Sequence, residues 1–483
     1  MSTMEPQANQ TLVAASRPLT PGGLQEMLRL AAPAVAAFMT NVAMVFADTI
    51  MVAGVGRGAV GAVTTSALFF HAVTAFCFGL ISTVVAFTSQ SLSRGDPKDG
   101  ARYAWQGIYV ALAVGGLGFA VLPALPWLFS LIGHDVETQA MEVAYTHYRA
   151  QSLVVLLVTA SLSCFFQGLG RTKLIFAVTV TANVCNVVMN WLLIFGVGPF
   201  PRMGVGGAGL ATLLANVVSM LLFATAFLGG RAARECHTRQ AWAPSWQRLK
   251  GLLRIGIPTS WQFSLDVLAW ALWHAWLVGR LGTVALDANA IVMELTQMAW
   301  FPMLGVGHAA ATLTGFYLGR RQVAHARRAA RSAMSLATIY MGAISVVMFV
   351  FAERFVSFFL ILQQGDGGAA ETLPQVVALG ATAMRIAAVW QIFDGICIAM
   401  MGSLRGGGDT LWPAVVQQVL TWGLFLPLAW VLCFPLGLGM SGAWMAGVVH
   451  LGLLSLVMLY RYRGDAWTEK NIFRDRTDLP AAS

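Results

Sequence analysis

Four carboxylates interrupt long apolar stretches of this 483-residue sequence: Asp48, Asp266, Glu294 and Asp394. A charge at the centre of a bilayer costs at least ~2.5–3.5 kcal/mol on insertion scales, so an acid kept there is read first as functional. Burial without a counter-ion brings carboxylate protonation toward neutral pH, which suits reversible exchange of H⁺ or Na⁺. The alternative is a carboxylate locked to Arg385 or to hydroxyl and amide groups. Asn183, Asn186 and Asn190 share another apolar run, and the last two, four apart, project from one helix face. Their amide oxygens suit a cation or proton site completed by Asp48, and equally suit hydrogen bonding between helices.

His71, His274, His308 and His450 also fall within apolar runs but show no ligand spacing, and read as packed, hydrogen-bonding residues. Trp261, Trp270, Trp273 and Trp276 crowd the run that holds Asp266. Together with Trp390, Trp270 and Trp273 offer ring faces on which a flat organic cation stacks, and Glu294 offers a charge; helix packing is the competing account of the rings. Twenty-two methionines suit an adaptable pocket or serve as packing filler. Cys77, Cys164, Cys185, Cys236, Cys397 and Cys433 include no CxxC pair and read as small packing residues. Neither HExxH nor GxSxG occurs, which argues against a membrane-embedded enzyme. No metal or organic cofactor is expected beyond a coupling ion.

The elements that position these residues follow from composition. Of the residues, 57% are apolar and only 11% charged, more apolar surface than a soluble fold hides. Hydrocarbon ~30 Å thick takes about 20 helical residues to cross, and lipid satisfies no backbone polar group, so an all-α polytopic membrane protein is predicted. Apolar runs fall near 29–53, 63–90, 105–131, 149–169, 174–197, 207–229, 252–278, 289–317, 332–361, 377–403, 411–435 and 442–460, giving twelve transmembrane helices. Pro33, Pro258, Pro302 and Pro413 permit bends in or beside them. The net charge of +9 is spread between apolar runs rather than gathered on one face, so no nucleic-acid partner is predicted. Alternate loops carry Arg94, Lys98, Arg102, Arg171, Lys173, the basic segments 231–254 and 320–331, and Arg405; the others hold Arg57, Arg202 and Arg280. This bias predicts both termini inside, with the acidic stretches Asp135–Glu142 and Asp366–Glu371 outside. The leader lacks the basic start of a cleaved signal.

The two halves resemble each other. Leu28-Arg29-Leu30-Ala31-Ala32-Pro33 reappears as Leu253-Arg254-Ile255-Gly256-Ile257-Pro258, Gly54 falls on Gly279, and Leu92-Ser93-Arg94 meets Leu318-Gly319-Arg320. The expected organisation is a disordered cytoplasmic leader (1–23), a six-helix N-lobe (24–230), a basic interlobe linker (231–251), a pseudo-symmetric six-helix C-lobe (252–460) and a cytoplasmic tail (461–483).

From about Gly23 to Tyr460 the sequence resembles the multidrug and toxic compound extrusion family, NorM-like branch. The resemblance rests on Phe46-Ala47-Asp48-Thr49-Ile50-Met51-Val52-Ala53-Gly54, on Gly168-Leu169-Gly170-Arg171-Thr172, on Asn186-Val187-Val188-Met189-Asn190-Trp191, and on Gly204-Val205-Gly206-Gly207-Ala208-Gly209-Leu210-Ala211-Thr212. It implies an N-lobe cation site built from Asp48, Asn186, Asn190 and Thr212. It also implies coupling roles for Asp266 and Asp394, the latter within Ala388-Val389-Trp390-Gln391-Ile392-Phe393-Asp394. The family commonly has glutamate at Asp266 and often tyrosine at Trp390, and the loss of a phenol oxygen favours H⁺ coupling or an N-lobe site. The implied protein is a monomeric antiporter of a bacterial inner membrane that exports organic cations in exchange for Na⁺ or H⁺. A lipid-linked oligosaccharide flippase is the alternative, and intramembrane Arg385 is its one clear cationic candidate.

Overall fold

The computed structural model describes residues 20–55, 59–130, 136–364 and 373–470. Arg57, Asp135, the stretch Asp366–Glu371, most of the leader and the end of the tail lie outside the described residues. Eleven of the described helices are long and apolar enough to cross a membrane. They are α1 (Leu24–Ala53), α2 (Ala59–Ser82 continued by Val84–Ser93), α3 (Pro97–Ser130), α4 (Val136–Gly168), α5 (Thr172–Phe195), α6 (Gly204–Leu228), α8 (Thr283–Gly319), α9 (Val323–Val350), α10 (Leu373–Gly406), α11 (Leu411–Cys433) and α12 (Gly439–Arg463). The twelfth is α7, which runs from Trp246–Ala271 through a π turn, Leu272–Leu277, into a 3₁₀ turn, Val278–Leu281. Arg254, Gln262, Asp266 and His274 make it the most polar of the twelve, so its packing inside protein, not its hydropathy, accounts for its place.

Local chemistry sets several ends. Asp96 caps α3 by accepting from the Asp99 amide at 3.1 Å, with Pro97 at the first helical position. Gly196 closes α5 with φ of 71°, a left-handed conformation that glycine adopts without penalty. Pro33, Pro258 and Pro302 lie inside helices.

Several predicted boundaries shift because helices outrun the apolar runs. Helix α4 begins at Val136, so Glu142, predicted in an outside acidic stretch, is a fully buried helical residue. In the predicted linker, the segment up to Gln240 forms two short helices and α7 has already started at Trp246. The linker is docked: Trp105 donates to the Thr238 carbonyl at 2.9 Å, Arg171 pairs with Glu235 at 2.6 Å, and Arg248 pairs with buried Asp99 at 2.9 Å. Residues 20–23, predicted disordered, are also ordered. The Gly22 amide donates to Glu26 at 2.7 Å, and Ser332 donates to the Gly22 carbonyl at 2.9 Å. The tail packs as far as Lys470, which with Arg461 neutralises fully buried Asp409 at 2.7 and 2.8 Å.

The lobes meet at one end. Cross-lobe hydrogen bonds join Tyr317 to Glu26 at 2.8 Å, Gln90 to the Gly406 carbonyl at 2.9 Å, and His308 to Gln167 at 3.0 Å. Edge-to-face ring pairs join Phe38 to His308 and Phe76 to Trp261. All of these residues lie in the halves of their helices nearest the start of α1 and the end of α12. Glycines allow the backbones to approach: a Cβ on Gly79 would lie 2.6 Å from Ser260 Cα, and one on Gly305 2.6 Å from the Val35 amide nitrogen. Toward the other end, Val45, Phe46 and Ile50 of α1 and Leu268 of α7 are exposed.

Because backbone cannot yield as a flexible side chain does, Gly79→Val and Gly305→Val should each destabilise the protein by about 1–3 kcal/mol. Thermal unfolding in detergent measures this; unchanged melting in both variants would mean that the lobes do not pack as described.

Candidate functional site

Each lobe holds one polar centre. In the N-lobe, α5 brings Asn190 against Asp48 of α1, and the Asn190 amide donates to the carboxylate. The same amide reaches Asn186 Oδ1 at 3.2 Å, and Asn186 Nδ2 reaches Thr212 Oγ1 of α6 at 3.4 Å. Helical spacing carries this chain, since Asn186 and Asn190 stack on one face of α5 and both are fully buried. The four residues implied for the N-lobe site are therefore contiguous. Asn183 points elsewhere, donating to Asn41 at 2.9 Å and Thr40 at 3.2 Å, and ties α5 to α1 one turn away. Asn190 Oδ1 is buried with no hydrogen-bond partner among the described residues. An acceptor left so costs about 1–3 kcal/mol, and an arriving cation or proton donor would relieve it.

One member of this centre escaped the sequence reading. Arg149 of α4 stacks its guanidinium on Phe70, 4.3 Å from the ring centroid, within electrostatic reach of Asp48 and Tyr145. Its Nε is buried without an acceptor among the described residues. The apolar run of α4 starts at residue 149, which put this arginine at a helix end. With α4 beginning at Val136, it sits roughly three and a half turns in.

In the C-lobe, α7 and α11 build a ladder of side-chain amides. Gln262 donates to Gln417 at 2.5 Å, and Gln417 donates to Asp266 at 2.9 Å. Gln418 donates to the Gln262 carbonyl at 3.2 Å and accepts from the Trp422 indole at 3.1 Å. Asp394 of α10 lies within electrostatic reach of Asp266, and its Oδ2 is buried with no hydrogen-bond partner among the described residues. None of the three glutamines was singled out in the sequence; the signal was available, since each lies in an apolar run that gains nothing from an amide.

The tryptophans divide. Trp273 and Trp444 are 1% exposed and Trp390 7%, and with Trp270 and Phe425 they form one cluster with ring centroids 5.3–5.9 Å apart. The expectation that Trp273 and Trp390 offer ring faces to a cavity is corrected: those faces are covered by other rings, and offset or edge contacts of this kind favour packing. Trp270 is half-buried at the edge of the cluster, Glu294 is exposed on α8, and Trp276 stacks on Trp430 with Arg280 over both. Three histidines bridge helices: His274 contacts Asn289 at 2.8 Å, His450 contacts Thr421 at 3.2 Å, and His308 contacts Gln167; the expectation that His71 is packed is corrected, since it is exposed. Arg385 pairs with Glu353 at 2.8 Å rather than with Asp394.

With both centres in place, the comparison with known proteins is decisive: residues 33–192 and 267–431, one block in each lobe, match the MatE family. The chain belongs to the MatE family. Among this MatE chain's relatives, a probable multidrug resistance protein NorM of Brucella suis is 28% identical over 441 residues, covering 90% of this chain and 92% of the relative. One of Rhizobium meliloti is 28% identical over 448 residues, covering 92% and 93%. A solved outward-facing multidrug resistance MATE family transporter of the MOP superfamily superposes with a TM-score of 0.84 at 20% identity, covering 97% of this chain and all of that one. A MOP superfamily transporter from Pyrococcus furiosus gives the same score and coverage. At that identity the two structures support the twelve-helix fold.

A double-mutant cycle on Asp48→Ala and Asn190→Ala tests the N-lobe contact. Thermal unfolding should give a coupling of about 1–3 kcal/mol, as for a hydrogen bond to a charged group; simple additivity would show that the two side chains do not interact.

Proposed function

We propose that this protein is a secondary active efflux transporter that exports organic cations and other amphipathic compounds in exchange for Na⁺ or H⁺. The carrying observation is the pair of desolvated acidic centres, Asp48 with Asn190 and Asp266 with Asp394, one inside each of two lobes whose hydrogen bonds to each other, among the described residues, lie at one end. The relatives named as multidrug resistance proteins support the cargo class. With both termini on the cytoplasmic side of an inner membrane, the lobes are open to the outside.

The mechanism is alternating access. A cation or proton entering from outside binds an acidic centre and neutralises it, and the state that holds it has lower affinity for a cationic cargo. Only such a difference in affinity between states moves the equilibrium. Asn190 Oδ1 and Asp394 Oδ2 are the oxygens that gain most from the ion, because each is buried without a donor among the described residues. Arg149 tunes the N-lobe centre: its fixed positive charge disfavours a second cation at Asp48, and a proton or a small ion must compete with it. The flippase reading draws no support from Arg385, whose charge is taken by Glu353.

Purified protein in proteoliposomes should release a fluorescent organic cation faster when a Na⁺ gradient or a pH gradient is imposed, each applied separately. Asp48→Asn and Asp394→Asn should each cut gradient-driven transport by about tenfold or more. Arg149→Gln should lower the concentration of coupling ion that gives half the maximal rate. Normal rates with normal ion dependence in both aspartate variants would sink the assignment, and silence of the unaltered protein under both gradients would redirect attention to lipid-linked cargo.

A further inference from the structure

A groove of ≈ 380 Å³ runs along the seam at the end that carries the start of α1, lined by Leu24, Arg328, Arg331, Ser332 and Ser335. The last four lie at spacings of three, four and seven on α9, so they form one stripe on one face. Its neighbours are neutralised and it is not. Arg327 is tied to Asp465 and to the Arg463 and Gly464 carbonyls, and Arg461 and Lys470 to Asp409. Glu26, the nearest acid on α1, is buried under the Gly22 amide and the Tyr317 hydroxyl. Arg328 reaches the Pro21 carbonyl only at 3.5 Å, and Arg331 lies beside Tyr462. Among the described residues, neither arginine is in an ion pair. The groove lining carries two guanidinium groups, two hydroxyls and no carboxylate.

The position along the helix says what kind of anion fits. The apolar run of α9 begins at residue 332, so the arginines stand at the headgroup boundary and the serines just within it. One turn beyond Ser335 the same face becomes Ile339, 65% exposed, followed by exposed Val346 and Val350. Across the groove α1 offers Leu24 and Leu28, each 41% exposed. A polar mouth for a tetrahedral oxyanion thus leads directly to an apolar wall that a soluble anion does not use.

We propose that this groove binds a phosphate group, supplied by an anionic phospholipid whose headgroup takes hydrogen bonds from Arg328, Arg331 and Ser335, while Ser332 keeps its proton on the Gly22 carbonyl, and whose chain follows Ile339. Guanidinium groups recognise phosphate with charge-assisted hydrogen bonds, and basic pockets between transmembrane helices are suited to such headgroups. Leu24 belongs to the N-lobe and the arginine stripe to the C-lobe, so the bound lipid bridges the seam beside the Ser332 to Gly22 bond. It therefore holds closed the end at which the lobes already meet.

The test uses the full chain in neutral detergent, with thermal unfolding and native mass spectrometry as readouts. Phosphatidylglycerol should raise the melting temperature and remain bound, whereas phosphatidylcholine with the same acyl chains should do neither. Because each arginine near a charged headgroup contributes on the order of a few-fold in affinity, the Arg328→Gln/Arg331→Gln protein should bind phosphatidylglycerol roughly thirty-fold more weakly. Arg328→Lys/Arg331→Lys, which keeps the charge, should retain most of the binding. Equal response to the two lipids, or undiminished phosphatidylglycerol binding by the double glutamine variant, overturns the site. Protection by inorganic phosphate alone, equal to that by phosphatidylglycerol, overturns the lipid as its source.

Discussion

Hydrocarbon offers no partner to a polar group, and in this chain several buried charges and amides are consequently met by another residue. Asp409 has Arg461 and Lys470; Asp99 has Arg248; Glu26 has a tyrosine hydroxyl and a backbone amide. These are closed accounts at the membrane boundary. Among the open ones are Asn190 Oδ1 and Asp394 Oδ2, and that contrast separates groups that hold the fold from groups with hydrogen-bonding capacity to spare. The same constraint shapes α7, whose polarity is tolerated because α11 supplies Gln417 and Gln418 to meet it.

The lobes are alike in sequence but solve their acidic centres differently. The N-lobe uses asparagines on a single helix face and keeps a cation, Arg149, on a phenylalanine ring nearby. The C-lobe uses a glutamine ladder between two helices and two acids in mutual reach. Two carboxylates repel, so such a pair holds a first cation or proton more tightly, and a second less tightly, than a carboxylate already balanced by an arginine.

Much of this was legible in the chain because membrane helices announce themselves by length and hydropathy. The twelve-helix count follows from the apolar runs and the shared face of Asn186 and Asn190 from their helical spacing, whereas their grouping with Asp48 and Thr212 came from the family resemblance. What escaped did so for identifiable reasons. Glu142 precedes the apolar run of α4 and Arg149 is its first residue, and hydropathy does not register a helix that continues past hydrocarbon into the polar interior of its own lobe. Trp273 and Trp390 carry the same composition whether they line a cavity or fill a core, and only their neighbours decide. Gln417 and Gln262 matter through each other, across 155 residues of chain, a separation that no local pattern spans.

The glycine contacts that bring α2 onto α7 and α1 onto α8 give the molecule a shape as well as a seam. Helices gathered more tightly at one end than at the other would displace unequal areas of the two leaflets. A rocking motion that reversed the opening would transfer area from one leaflet to the other, and the lateral pressure of each leaflet multiplied by that area is mechanical work. The surrounding bilayer would therefore be a term in the energy difference between the two orientations, and its packing would set part of that balance.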